Sequence, residues 1–299
     1  MIENHKGQIM FQHILTNNKT KLYGTSALVC FALATPVLAD DFVITSGTTM
    51  NDGNTIDGND TVTLTGALVV STNGNDRQGI KTSGGTNEVS VTVSGSITTT
   101  STSDYAHGID NSGGGSKTTM LGSINTLGRA ARGISSGGGN NITTMSGSIT
   151  TTGNDAIAIY ADGGSNTTTM SGSIKTTGDI SYGIYASGVS NTTTMSGSIS
   201  SASDTYARGI YINGDNNTTT MSGSISAAGT DAYAMRHLGD DNTTTISGSV
   251  TSTGTASSAL MNTSGSGGTF ILEEGAIIIG DITALAAATN NKLKFNLGE

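Results

Sequence analysis

One spacing constrains this chain more than any other property. An apolar residue, then Ser-Gly-Ser or a near variant, then Ile or Val recurs at Val93, Met120, Met145, Met170, Met195, Met221 and Ile246. These anchors stand 27, 25, 25, 25, 26 and 25 residues apart, and Leu64-Thr65-Gly66-Ala67-Leu68 is a weaker first copy. A fixed period of this size belongs to solenoids and arrays, in which each unit covers its neighbours' faces. A disordered Ser/Thr tract has no reason to hold such a register, so disorder is excluded.

Residue type decides between helix and strand. The repeats are dense in Thr, Ile and Val and lack the Leu/Ala/Glu/Lys periodicity of a helical array. In Asn166-Thr167-Thr168-Thr169-Met170-Ser171-Gly172-Ser173-Ile174, a period of two places Thr168, Met170, Gly172 and Ile174 on one face. Val89, Val91, Val93 and Ile97 share that parity, as do Val62, Leu64 and Leu68, so the face points inward. Met120, Met145, Met170, Met195 and Met221 are expected to stack inside one wall, with Ile124, Ile149, Ile174, Ile199 and Ile225 beside them. The expected fold is an all-β parallel β-solenoid of about 25 residues per coil, with rungs about 4.8 Å apart. About eight rungs give a rod of roughly 40 Å.

A second wall is expected on Ile80, Ile109, Ile134, Ile159, Ile184, Ile210 and Met235, usually with an inward Ala three residues earlier. That odd spacing needs a bulge, which Gly108, Gly133, Gly183 and Gly209 can supply. Asn141, Asn166, Asn191, Asn217 and Asn242, each four residues before an anchor, read as an asparagine ladder at a corner, with stacked amides bonding one another.

Composition narrows the function. With 34% hydrophobic and 4% aromatic residues there is too little bulk for one large compact core. The formal charge of −9 excludes a sequence-independent nucleic-acid binder, which needs a basic face. Lys19 and Lys21 precede the apolar run Ala27–Ala34, and Val37-Leu38-Ala39 ends it with a small-residue cleavage pattern. Residues 1–39 are therefore expected to be a cleaved signal peptide, the apolar run being too short to span a bilayer as a helix. The long stretch before Lys19 leaves Met10 as an alternative start. Cleavage removes Lys6, Lys19, Lys21, Glu3 and the single Cys30, leaving a formal −11 and no disulfide. A transmembrane segment is not expected in the mature chain. Beyond the leader, the expected organisation is an N-terminal cap and first coil over 40–63, solenoid repeats over 64–268 and a C-terminal cap over 269–299.

Several patterns are candidates for chemistry. His107 and His237 lie about five coils apart, roughly 24 Å along the axis, too far to share a metal or a proton. Asp104, Asp155, Asp179, Asp204 and Asp231 recur in the turn before the second wall, where turn chemistry accounts for them better than catalysis. Asp52 to Asp60 is rich in oxygen ligands but matches no calcium loop, and a solvated turn is favoured. No catalytic residue, metal site or cofactor is expected, and the chain does not read as an enzyme.

The second wall's outward stripe is richer. Tyr160, Tyr185 and Tyr211 follow the inward Ile in three successive coils, with Lys81 and Arg236 in the same column. Two residues before the Ile column come Gln78, His107, Arg132, Tyr182, Arg208 and Tyr233. Such a Tyr/Arg face has the composition of a recognition patch for sugars or protein surfaces. The competing account is that Tyr is a good strand residue that stacks on itself. Outward pairs Thr167/Thr169, Thr192/Thr194, Thr218/Thr220 and Thr243/Thr245 form the Thr-x-Thr array an ice-binding solenoid presents. Threonine's use on a solvated strand face explains them more simply. Asn-x-Thr triplets such as Asn166-Thr167-Thr168 satisfy a glycosylation pattern, though the ladder already explains the Asn.

Units such as Asn-Thr-Thr-Thr-Met-Ser-Gly-Ser-Ile, followed by Gly183-Ile184-Tyr185-Ala186, resemble the passenger repeats of bacterial autotransporters. The tail, from Gly268-Thr-Phe-Ile-Leu through Ala276-Ile-Ile-Ile-Gly280-Asp-Ile to Lys292-Leu-Lys-Phe-Asn-Leu297, is similar to the late-passenger segment of that family. The resemblance covers roughly residues 60 to 299. It implies a right-handed β-helix, agreeing with the usual hand of parallel crossovers. It also implies export to the outer membrane and cell surface, commonly as an adhesin for a host or cell-surface protein or glycan. No catalytic residue of the family has a matching position here. The family pattern continues into a membrane β-barrel of alternating strands, each near ten residues, and no such strands follow the tail in this sequence. Either the gene is truncated or split, or the rod uses a separate outer-membrane translocator. The expected function is thus a non-enzymatic adhesin-like or structural passenger. The alternatives are a freely secreted ice- or glycan-binding rod and, last, a polysaccharide-degrading enzyme.

Overall fold

A computed structural model describes residues 41–45, 60–70, 78–92, 94–100, 102 and 104–298. The expected signal peptide and all of the Asp52–Asp60 segment except Asp60 lie outside them, as does Val93. The described chain is all-β, and its strands pair in parallel into one sheet of eleven strands and two of nine, with a further pair, Gly265–Ser266 with Ala288–Thr289. It is a parallel β-solenoid, with residues about 25 apart stacked on one another, Met145 on Met170 and Ile149 on Ile174.

Each coil has three walls, not the two expected. In one coil these are Thr167–Met170, Ser173–Thr177 and Ser181–Ser187. We refer to them as the threonine, serine and tyrosine walls after the residues they turn outward. The Thr-Thr-Thr-Met and Ser-Ile segments expected to form one strand are separated by a corner at Ser171-Gly172. There the N–H groups of Ser171 and Gly172 both donate to the carbonyl of Met145, at 2.8 and 3.3 Å, which turns the chain out of the first sheet. A Cβ on Gly172 would lie 2.0 Å from the carbonyl oxygen of Gly147 one rung away. The corner is therefore a stack of close backbone approaches that only glycine permits. Parity survives the corner because Met and Ile are four residues apart, so both still point inward.

The core is three apolar columns, one per wall. Met120, Met145, Met170, Met195, Met221 and Ile246 line the first, Ile124, Ile149, Ile174, Ile199, Ile225 and Val250 the second, and Ile109, Ile134, Ile159, Ile184, Ile210 and Met235 the third; all are buried. Burial of each such side chain contributes about 1.5–3 kcal/mol. On the tyrosine wall Arg132 pairs with Ile157 and Ile134 with Ile159, while the positions between them, Gly133 and Ala158, are also buried. Two consecutive inward residues mark the expected irregularity, and Gly133 is there because a Cβ would meet the Ile149 side chain at 2.5 Å.

One register differs from the sequence alignment. Met120 stacks on Val91, not Val93, and Val91 on Leu64. Ile97 nevertheless stacks on Ile124, so the corner between Val91 and Ile97 absorbs two extra residues.

The asparagine column is buried at a corner, but its amides bond differently from expectation. The side-chain oxygens of Asn166, Asn191, Asn217 and Asn242 accept from the backbone N–H of Asn141, Asn166, Asn191 and Asn217, at 2.8–2.9 Å. Amide bonds to amide only from Asn217 to Asn242, at 3.0 Å. The other amide nitrogens return to turn carbonyls, Asn166 to Asp162 at 2.9 Å and Asn191 to Ser187 at 3.2 Å. The residues just before them, Asn140, Ser165, Ser190, Asn216 and Asp241, have φ between 51° and 62°. A left-handed turn leaves backbone donors without ladder partners, and the asparagine oxygen one rung along satisfies one of them.

The tail continues the same architecture. Thr269–Glu273 pairs with Thr243–Ile246 and buries Phe270 and Leu272, and Lys292–Asn296 forms the outermost described rung with Phe295 exposed.

Candidate functional site

The tyrosine wall is built from two outward columns that meet across rungs. In one, Tyr160, Tyr185, Tyr211 and Arg236 are directly paired in sequence of rungs; in the other, Ile157, Tyr182, Arg208 and Tyr233 are. Four successive rungs thus bring together all seven residues singled out from the sequence. At this pitch the patch runs about 14 Å along the axis.

The rings pack closely. Tyr160 and Tyr185 meet edge-on with centroids 5.3 Å apart, Tyr185 and Tyr211 edge-on at 4.9 Å, and Tyr182 stacks on Tyr185 at 5.2 Å. Arginines lie over these rings: Arg132 on Tyr160 at 3.8 Å, Arg208 on Tyr182 at 4.7 Å, and Arg236 between Tyr211 and Tyr233, 5.3 Å from each. Polar contacts fix the arrangement. Arg208 donates to the Tyr182 hydroxyl, Asn213 to the Tyr185 hydroxyl at 3.0 Å, and Arg236 Nε to Thr263 Oγ1 at 2.6 Å. Burial pushes the hydroxyls of Tyr160, Tyr182 and Tyr211 above the usual tyrosine value, so they stay protonated donors.

Two details differ from a simple outward stripe. Tyr211 is 9% exposed, covered by Tyr182, Tyr185, Arg208 and Arg236. Neighbouring rings and guanidinium groups cover much of these rings, while Tyr160, Tyr182, Tyr185, Arg208, Tyr233 and Arg236 remain part-exposed. Tyr206 and Arg132 also belong to the cluster. Tyr206 was missed because it sits in the turn just ahead of the strand Ala207–Asn213, outside both columns. Its place immediately before the inward Ala207 is the signal that marks it.

His107, counted as outward, is buried. It precedes the short strand Ile109–Asn111, and its Nδ1 accepts from the Arg132 backbone N–H at 3.0 Å. Burial, with Arg132 and Lys81 nearby, pushes its pKa from the ordinary 6.5 down to about 3. His237 is also buried, stacked on Phe270 at 4.3 Å and bonded through Nε2 to Thr244 Oγ1 at 2.7 Å. Burial lowers its pKa to about 4, with Asn262 opposing.

The turn acids lie where the serine wall meets the tyrosine wall. Arg129 lies 3.4 Å from Asp104 and 3.2 Å from Asp155, tying three turns together. Asp179 accepts from Thr205 at 3.3 Å beside an open groove of about 500 Å³ that also contacts Asn154 and Asp204. Among the described residues no group of three His, Cys, Asp or Glu is placed to hold a metal ion. Among the described residues there is no helix long and apolar enough to cross a membrane.

The threonine wall presents the Thr pairs in strict register, Thr192 with Thr218 and Thr194 with Thr220. Among these, Thr192, Thr194, Thr218 and Thr220 are exposed, and the middle threonines, Thr193 and Thr219, are buried. Below them the column is interrupted by Ile142 and Lys117, the latter paired with Glu88 at 2.7 Å.

Comparison with protein-family models, with curated proteins and with solved structures finds no match to this chain.

Proposed function

We propose that this chain is an exported, non-enzymatic passenger-like solenoid that acts as an adhesin-like binder through its tyrosine wall. The observation that carries the reading is the gathering of five tyrosines and two arginines onto one wall over four successive rungs. The leader-like start and the likeness of the repeats to autotransporter passengers support export and surface display. Parallel ladders hold the side chains at a fixed pitch, so a ligand meets a preorganised surface, which lowers the cost of binding. Arg and Tyr are the residue types that dominate binding energy at such surfaces.

The test has two parts. The full chain, expressed in a Gram-negative host with a C-terminal epitope, is expected outside the cytoplasm and cleaved after Ala39. Immobilised residues 40–299 are expected to retain cells or extracellular glycans and proteins, and Tyr160→Ser with Tyr185→Ser to lose that retention. An uncleaved cytoplasmic product, or retention indifferent to both substitutions, refutes the reading.

A further inference from the structure

The tyrosine wall also carries information about what it binds. The described ion pairs, Lys117 with Glu88 and Arg129 with Asp104 and Asp155, lie away from it. Arg208 and Arg236 instead rest on tyrosine rings, and the hydrogen bonds recorded for their side chains go to neutral hydroxyls. Arg208 Nε is buried with no hydrogen-bond partner. Arg208 Nη1 and Arg236 Nε hold those hydroxyls, which leaves the remaining Nη N–H groups to meet an oxyanion, and the end of a guanidinium matches a carboxylate in a fork. The two arginines stand on adjacent rungs but in different columns, Arg208 paired with Tyr233 and Arg236 with Tyr211, so they are offset by about 4.8 Å along the axis and about 10 Å across the wall, on either side of Tyr211. A neutral sugar would look for open ring faces, and guanidinium groups lie over those of Tyr160, Tyr182 and Tyr211.

We infer that the tyrosine wall binds a carboxylated polysaccharide crossing it obliquely, with Arg208 and Arg236 each meeting a carboxylate of the same sugar chain. The ring edges of Tyr160, Tyr182, Tyr185 and Tyr233 flank the chain of sugars. The inference rests on the adhesive reading above and gives it a ligand class. It also accounts for a local concentration of cations on a chain whose formal charge is −9. Elsewhere that charge repels a polyanion, so this wall sets where it lands.

The experiment is equilibrium binding of polygalacturonate to pure residues 40–299, with dextran as the neutral competitor. Saturable binding that weakens with added salt is expected, and dextran should not compete. Arg208→Gln with Arg236→Gln should weaken binding at least about tenfold, since each charge-assisted hydrogen bond is of that order. Lys292→Gln with Lys294→Gln, which removes the basic pair of the outermost described strand, should leave binding within about twofold, as rim charges contribute little. An unchanged melting curve certifies that each variant is folded. The inference fails if polygalacturonate does not bind, if dextran competes equally, if the arginine variant binds as well as the parent, or if the lysine variant is the one that loses binding. Each of these leaves the adhesive reading to its own retention assay with the tyrosine variants, so the two can fail separately.

Discussion

The threonine and tyrosine walls share one chain, one pitch and one kind of ladder, yet they are built differently. Every threonine-wall strand from Lys117–Met120 to Thr243–Ile246 is four residues long. The tyrosine-wall strands lengthen from three residues at Ile109–Asn111 to seven at Ser181–Ser187 and Ala207–Asn213, then shorten to five at Ser258–Asn262. The longest strands are those that carry Tyr182, Tyr185, Arg208 and Tyr211. Large outward side chains packed across rungs reinforce pairing, whereas threonine hydroxyls facing water add little beyond strand propensity. The difference teaches that backbone ladders and inward columns set the fold, while outward residues set how far each wall is ordered and what it offers a partner.

The largest effect should come from the corner on which both walls depend. A Cβ on Gly197 would lie 2.0 Å from the Gly172 carbonyl oxygen, a backbone contact no rotamer relieves. Gly197→Ala is expected to cost more than about 4 kcal/mol and to unfold both walls together. Gly164→Ala, whose Cβ would approach no atom closer than 3.3 Å, should cost less than about 1 kcal/mol. Denaturant titration of the two variants reads the contrast; equal midpoints would refute the corner as the shared keystone.

Next in size is the asparagine column, which joins the tyrosine wall to the threonine wall. Asn191→Ala strands the buried N–H of Asn166 and frees the Ser187 carbonyl. The expected cost is about 2–4 kcal/mol, from unsatisfied groups at about 1–3 kcal/mol each. Asn191→Asp should be milder than Ala because a carboxylate can still accept from Asn166. A midpoint for Asn191→Ala equal to the parent's would show that water replaces the ladder.

How much of this was legible in the sequence depends on which interaction decided each feature. Inward parity was readable because Met170, Ile174 and Ile184 are apolar at positions that period two alone selects. The corner at Ser171-Gly172 was not, because glycine fits an inward strand position and a turn equally, and the deciding contact is with Gly147, 25 residues away. The same holds for Asn191: its place in a column was visible, its partner, a backbone N–H one rung along, was not. Counting two residues back from the Ile column places His107 outward, but the strand begins only at Ile109. The Tyr/Arg columns were found by spacing, but that Tyr211 is roofed by arginines depends on side-chain packing that spacing does not encode.

Acid should separate the walls. His107 and His237 both belong to tyrosine-wall coils and are held neutral when folded, with pKa values of about 3 and about 4 against an ordinary 6.5. Below pH 6.5 the unfolded chain takes up protons that the folded chain refuses, so stability falls with pH until the folded values are reached. The slope is about 1.4 kcal/mol per pH unit for each histidine at its steepest. His237→Gln should remove about half of that slope while keeping a partner for Thr244. Stability that is flat from pH 7 to pH 4.5, or a His237→Gln slope equal to the parent's, would contradict the assignment of both rings as buried and neutral.

The smallest effects sharpen the comparison most directly, because they exchange one wall's residue for the other's. Tyr185→Thr removes ring contacts to Tyr160, Tyr182 and Tyr211 and the bond from Asn213. Its expected cost is about 1–3 kcal/mol, read as a lower denaturant midpoint. Thr169→Tyr with Thr194→Tyr places rings on exposed positions whose hydroxyls hold nothing together, so stability should change by less than about 0.5 kcal/mol per site. If the threonine wall serves only to keep a strand face solvated, the parent shows no thermal hysteresis and the double variant behaves like it. Hysteresis in the parent that vanishes in the double variant would give the threonine wall a ligand of its own. Ice would then be recognised by the short, threonine-faced wall, and a polyanion by the long, aromatic, cationic one.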